Sequence, residues 1–157
     1  MNPSATAPDE LFVTPAHKDV VRRGGFIDAG PFQLWIERDF VRAEERVSPD
    51  LDSLRCFLYL LEEVRRQHGK IYLLLVVSEQ VGPPPAPVRR FMAEWSAQHG
   101  SNGVAIITSK TSLFAVMTNL LLRAMSLVRS TQRPFAFFST EEEGRRWLED
   151  LRQRTPG

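Results

Sequence analysis

Seven consecutive apolar or aromatic residues, Ile71, Tyr72, Leu73, Leu74, Leu75, Val76 and Val77, constrain this chain more than any other feature. The run is too short to cross a bilayer and ends in turn-prone text, so it reads as a strand buried on both faces. A strand covered on both sides needs a helix layer above and below it. The flanking text offers such helices, and the expected fold class is therefore α/β, a single-domain mixed β-sheet flanked by helices. A length of 157 residues with 43% hydrophobic side chains suits one body with a real core.

The text before this run supplies a β-pair and a helix. Phe32, Leu34 and Ile36 alternate with Gln33 and Trp35, the period of a half-covered strand, and Arg38-Asp39 supplies a turn. Residues 40–47 return as an antiparallel partner whose charges, Arg42, Glu44, Glu45 and Arg46, suit an exposed edge. Ser48-Pro49-Asp50 has the form of a helix start, with a hydroxyl N-cap, proline at the first position and a carboxylate near the positive dipole end. Leu51, Leu54, Phe57, Leu58, Leu61 and Val64 then recur in three- and four-residue steps, and Gln67-His68-Gly69 closes the helix.

The text after it repeats the strand-helix alternation. Four prolines within residues 83–87 make a stiff loop. Residues 88–99 read as a helix with Phe91, Met92 and Trp95 inward, and 104–108 as a second buried strand. Residues 112–130 read as a helix whose apolar arc, placed at 100° per residue, would cover about half the circumference. That is wider than one sheet face requires, so Phe114, Met117, Leu121, Leu122 and Met125 are the candidate surface for a partner or an apolar ligand. Residues 135–138 are the last strand, and Thr140 with Glu143 caps a closing helix anchored by Trp147, Leu148 and Leu151.

Charge and motif content exclude several functions. A net charge of +1 supplies no global field for nucleic acid or an anionic membrane. The four cations Lys110, Arg123, Arg129 and Arg133, in a stretch free of acids from Ala97 to Thr140, are too few for a nucleic-acid interface. No membrane span is expected, and residues 1–10 lack a secretion signal. A lone Cys56 fits a reduced, cytoplasmic setting. There is no Gly-x-Ser-x-Gly elbow, Cys-x-x-Cys pair, phosphate-binding Gly-Lys loop or His-Glu-x-x-His helix. The expectation is a protein that is no enzyme and carries no metal or cofactor. Hydroxyls at the strand ends, Ser78, Ser109 and Thr111, with Lys110, Arg89 and Arg90, outline a rim that could hold an anion or serve as helix caps.

Together the β-pair, the Ser48-Pro49-Asp50 opening, the strand at 71–77 and the helix with Val88-Arg89-Arg90 resemble bacterial SpoIIAA-like proteins of the STAS superfamily. The strand Gly103-Val104-Ala105, the helix Leu120-Leu121-Leu122-Arg123-Ala124 and the ending Phe137-Phe138-Ser139-Thr140-Glu141-Glu142-Glu143 with Trp147-Leu148 carry the same likeness, which spans about residues 30–151. The resemblance implies the order β-β-α-β-α-β-α-β-α, with 1–23 a flexible lead-in, 24–151 the domain and 152–157 a frayed tail. It implies a non-enzymatic regulatory or protein-interaction module, and the wide apolar arc of helix 112–130 adds the expectation of self-association as a homodimer, or of binding another regulatory protein, through that helix. The alternative is a binder of a small-molecule or lipid-like ligand, with a cavity between that helix and the sheet. In the best-understood relatives a partner kinase phosphorylates a serine in an Asp-Ser segment; Ser78 is the nearest counterpart here, and Glu79-Gln80-Val81-Gly82 after it departs from that pattern.

Overall fold

The structure is a computed structural model, and it describes residues 11–82, 84–99, 101–108 and 134–154. Six strands form one sheet in the order β1 (Gly25–Ala29), β2 (Phe32–Glu37), β3 (Phe40–Glu45), β4 (Tyr72–Val77), β5 (Gly103–Thr108) and β6 (Phe135–Phe138). The first three pair antiparallel and β3 to β6 pair parallel, so the sheet is mixed. Four described helices flank it: α1 (Pro15–Arg23), α2 (Leu51–His68), α3 (Ala86–Gln98) and α4 (Glu141–Arg154).

β4 is the spine that its apolar run predicts. Alternation sends Leu73 to a core shared with Val21 of α1, Leu54, Phe57, Leu60 and Val64 of α2 and Val88 of α3. Tyr72 and Leu74 point the other way, into a second core closed by Leu148 of α4 with Ala105 and Ile107 of β5. Both are fully buried, and burial of an aliphatic side chain such as Leu74 contributes about 1.5–3 kcal/mol. α4 lies close because Gly144 lacks a side chain: a Cβ there would sit 2.6 Å from Ile107 Cδ1 and 3.0 Å from Leu74 Cδ1.

The structure differs from the sequence expectation at five places. α1 and β1 precede the expected first strand, so the described body starts upstream of residue 24. Thr14 caps α1 by accepting from the His17 amide while His17 Nδ1 accepts from the Thr14 amide, and Val21 is fully buried. β1 escapes a pattern search because Ile27 is its one buried residue. β3 is interior, not an edge, because Arg42 is neutralised from above by α4 and from the side by Glu44. The cap of α2 is Asp50, which accepts from the Ser53 amide at 2.7 Å, while the Ser48 hydroxyl accepts from Gly82 N. Met92 is exposed, unlike Phe91 and Trp95. The closing helix runs past residue 151 to Arg154, and Arg152 reaches Asp39 at 2.7 Å.

Other readings match the structure. Gly69 takes the left-handed conformation (φ 79°) after α2, and the Arg38-Asp39 turn joins β2 to β3 with Arg38 at φ 56°. Thr140 Oγ1 accepts from the Glu143 amide at the start of α4. Among the described residues no helix is long and apolar enough to cross a membrane.

Candidate functional site

The two sheet faces are covered unequally. α1, α2 and α3 pack on one face, while α4 on the other lies over β4, β5 and β6 and touches β3 through Phe40 and Arg42. Over β1 and β2 that second face is left open by the described residues. Register aligns Phe26, Trp35 and Arg42 side by side across these strands. Phe26 is 47% and Trp35 38% exposed, with ring centroids 5.1 Å apart. The Arg42 guanidinium lies 4.8 Å over the Trp35 ring, a cation–π contact.

Electrostatics hold this row in place. Arg42 Nε and Nη2 donate to the two Glu141 oxygens at 3.0 and 2.7 Å, and Nη2 also reaches Glu44 at 2.9 Å. The bidentate pair ties β3 to the first turn of α4. Hydrogen bonding from Arg42 holds the Glu141 carboxyl below the usual range, against an opposing desolvation. Nearby, Arg145 sits 5.0 Å over the Phe40 ring. Together Phe26, Trp35, Phe40, Arg42 and Arg145 line a shallow depression of about 550 Å³ next to the outer edge strand β1.

On the opposite face a groove of about 530 Å³ runs along α2 between α1 and α3. Tyr59 meets Trp95 edge to face at 5.0 Å, Phe91 lies 6.2 Å from Trp95, and His99 stacks on Trp95 at 3.8 Å. Phe12 continues the row against Tyr59 at 5.6 Å. Helical spacing explains the row: Tyr59 faces out from α2, while Phe91, Trp95 and His99 recur every four residues on one side of α3. Glu62, Glu63, Glu94, Lys18 and Arg66 form its polar rim.

At the end of β3, Glu45 faces the α2 side of the sheet, in register with Phe32 and Val77. Burial alone pushes its carboxyl up to about 7. Cys56 is half-buried on α2, its thiol donating to the Phe12 carbonyl at 3.5 Å, and burial raises its pKa.

Of the residues expected at a site, Phe114, Met117, Leu121, Leu122 and Met125 lie outside the described residues, as do Ser109, Lys110 and Thr111. Ser78 closes a turn, its hydroxyl accepting from Gln80 N at 3.3 Å and its carbonyl from Val81 N at 3.1 Å. Arg89 folds back to donate to the Pro84 carbonyl at 2.9 Å, and Arg90 is exposed. His68 is structural: its Nε2 lies 2.9 Å from the Val21 carbonyl and joins α2 to α1.

The sequence reading missed the Phe26, Trp35 and Arg42 row because these residues are far apart in the chain and the Phe26 strand went unrecognised. A usable signal was present, since Trp35 falls on the polar phase of an otherwise clean alternation. Comparison with family models, with curated proteins and with solved structures returned no match to this chain.

Proposed function

We propose that this chain is a non-enzymatic interaction module of SpoIIAA/STAS type, acting in the cytoplasm, that works by self-association or by binding another regulatory protein. The observation that carries this reading is the β1–β2 end of the sheet face, where Phe26 and Trp35 stay exposed and β1 has no strand on its outer side among the described residues. Aromatic residues with an arginine are the side chains enriched at interface centres. The charges around them are already paired, Arg42 with Glu44 and Glu141, which favours apolar contact over proton transfer. The apolar arc of residues 112–130 adds a second surface of the same character in the sequence.

Sedimentation equilibrium tests the proposal on the wild type, on Trp35→Glu and on the Leu121→Glu, Met125→Glu double variant. Trp35 is over a third exposed, so its replacement is expected to leave the fold intact. Concentration-dependent assembly that Trp35→Glu weakens supports association through the sheet face. Weakening by the double variant alone assigns it to residues 112–130. A wild type that stays monomeric at every concentration removes the self-association reading. A second reading, a small-molecule binder, is favoured by the aromatic groove on the opposite face.

A further inference from the structure

We propose that the outer edge of β1 pairs antiparallel with β1 of a second copy of this chain, joining two sheets across a two-fold axis. This pairing rests on the interaction-module reading and supplies its partner and geometry. β1 ends the sheet, and among the described residues no backbone group bonds to its outer side. Natural sheets blunt such edges with prolines, lysines or bulges. The five residues of β1 contain none of these, and their register with β2 runs unbroken from Gly25 opposite Ile36 to Ala29 opposite Phe32.

Hairpin geometry fixes which backbone groups face outward. Only Gly30 and Pro31 separate β1 from β2, and a two-residue turn makes its flanking residues, Ala29 and Phe32, a hydrogen-bonded pair. Alternation makes Ile27 and Leu34 the next such pair and turns the amides and carbonyls of Phe26 and Asp28 away from β2. The bond from the Arg46 amide to the Pro31 carbonyl, at 2.8 Å, has the phase in β2 that this pattern requires. Two outward residues placed either side of Ile27 are their own antiparallel complement. Phe26 of each copy then faces Asp28 of the other, and four N–H to carbonyl bonds form. Pairing of an edge with itself is isologous and closes at two copies. Side chains agree with this register. Phe26 lies on the open sheet face beside Trp35, and the two Phe26 residues become diagonal neighbours at about 7–8 Å, within reach of aromatic rings. The Phe26 and Trp35 pair is thereby extended into a row of four rings.

Two measurements on the full chain test the pairing. Sedimentation equilibrium locates the association midpoint, and backbone amide exchange by NMR is then compared well below and well above it. The Phe26 and Asp28 amides are expected to exchange about tenfold or more slowly in the associated state. The Ile27 amide, bonded to β2 in each copy, should be protected in both. Asp28→Pro removes one outward N–H from each copy without touching the β1–β2 ladder, and should weaken association about tenfold or more. Asp28→Asn keeps that N–H and should leave association unchanged. If Asp28→Pro fails to fold, exchange in the wild type decides alone. Association in which the Phe26 and Asp28 amides keep one rate throughout overturns edge pairing and leaves the interaction-module reading standing. So does association that Asp28→Pro and Asp28→Asn alter equally, or that grows beyond two copies. A chain that stays monomeric at every concentration overturns both edge pairing and self-association.

Discussion

Replacing Glu45 with glutamine should stabilise the protein in a strongly pH-dependent way. Glu45 lies on the helix-covered side of β3 in register with Phe32 and Val77, and burial lifts its carboxyl from the ordinary 4.5 to about 7. A carboxyl whose pKa is raised by folding favours the folded state only while protonated. Its contribution is complete below 4.5 and is lost as the pH rises through about 7. At about 1.4 kcal/mol per pH unit, the shift corresponds to a ceiling of about 3 kcal/mol. Water reaches the partly covered strand end and screens the charge, which lowers the expected difference to about 1–3 kcal/mol. Glutamine keeps the shape and cannot ionise. Urea unfolding of both proteins between pH 5 and pH 8 should therefore show a gap in stability that widens with pH and levels off above pH 7. A gap of constant size across that range would refute the assignment, since it would mean that Glu45 keeps its unfolded-state pKa.

Three further outcomes follow from the packing and pairing. Tyr72→Phe should be neutral or stabilising by about 1 kcal/mol in chemical denaturation, because the fully buried Tyr72 hydroxyl finds no hydrogen-bond partner among the described residues. Gly144→Ala should cost a net of about 1 kcal/mol, the clash with Ile107, Leu74 and Ala105 outweighing the helix propensity gained, and Gly144→Val should cost more. A double-mutant cycle of Arg42→Met and Glu141→Gln should give a coupling of about 0.5–1 kcal/mol at pH 7. Because Glu141 has a lowered pKa, that coupling is present above its unfolded-state value and disappears as the pH falls through the lower folded value.

Much of the scaffold was legible in the chain because its signals are local. The unbroken run at 71–77, the three- and four-residue recurrence from Leu54 to Val64 and the glycine after His68 each report on neighbours within a few residues. What they specify is which segments become strands or helices, and that one strand must be covered on both sides. The α/β class, the central β4, α2 before it and α3 and α4 after it were set in that way.

Tertiary structure alone decided where the charged strand β3 goes and which surfaces remain open. Arg42 is tolerable in the sheet interior because Glu141, ninety-nine residues away, supplies a bidentate partner beside the local Glu44. β1 becomes a strand with one buried residue because β2 offers it a paired edge, a stabilisation that no pattern within its five residues records. Phe26 and Trp35 become neighbours through that pairing, and Tyr59 and Trp95 meet only when α2 and α3 pack together. Periodicity assigns a side chain to a face of its own element; which faces meet, and which are left bare, depends on contacts between segments whose separation along the chain carries no signal.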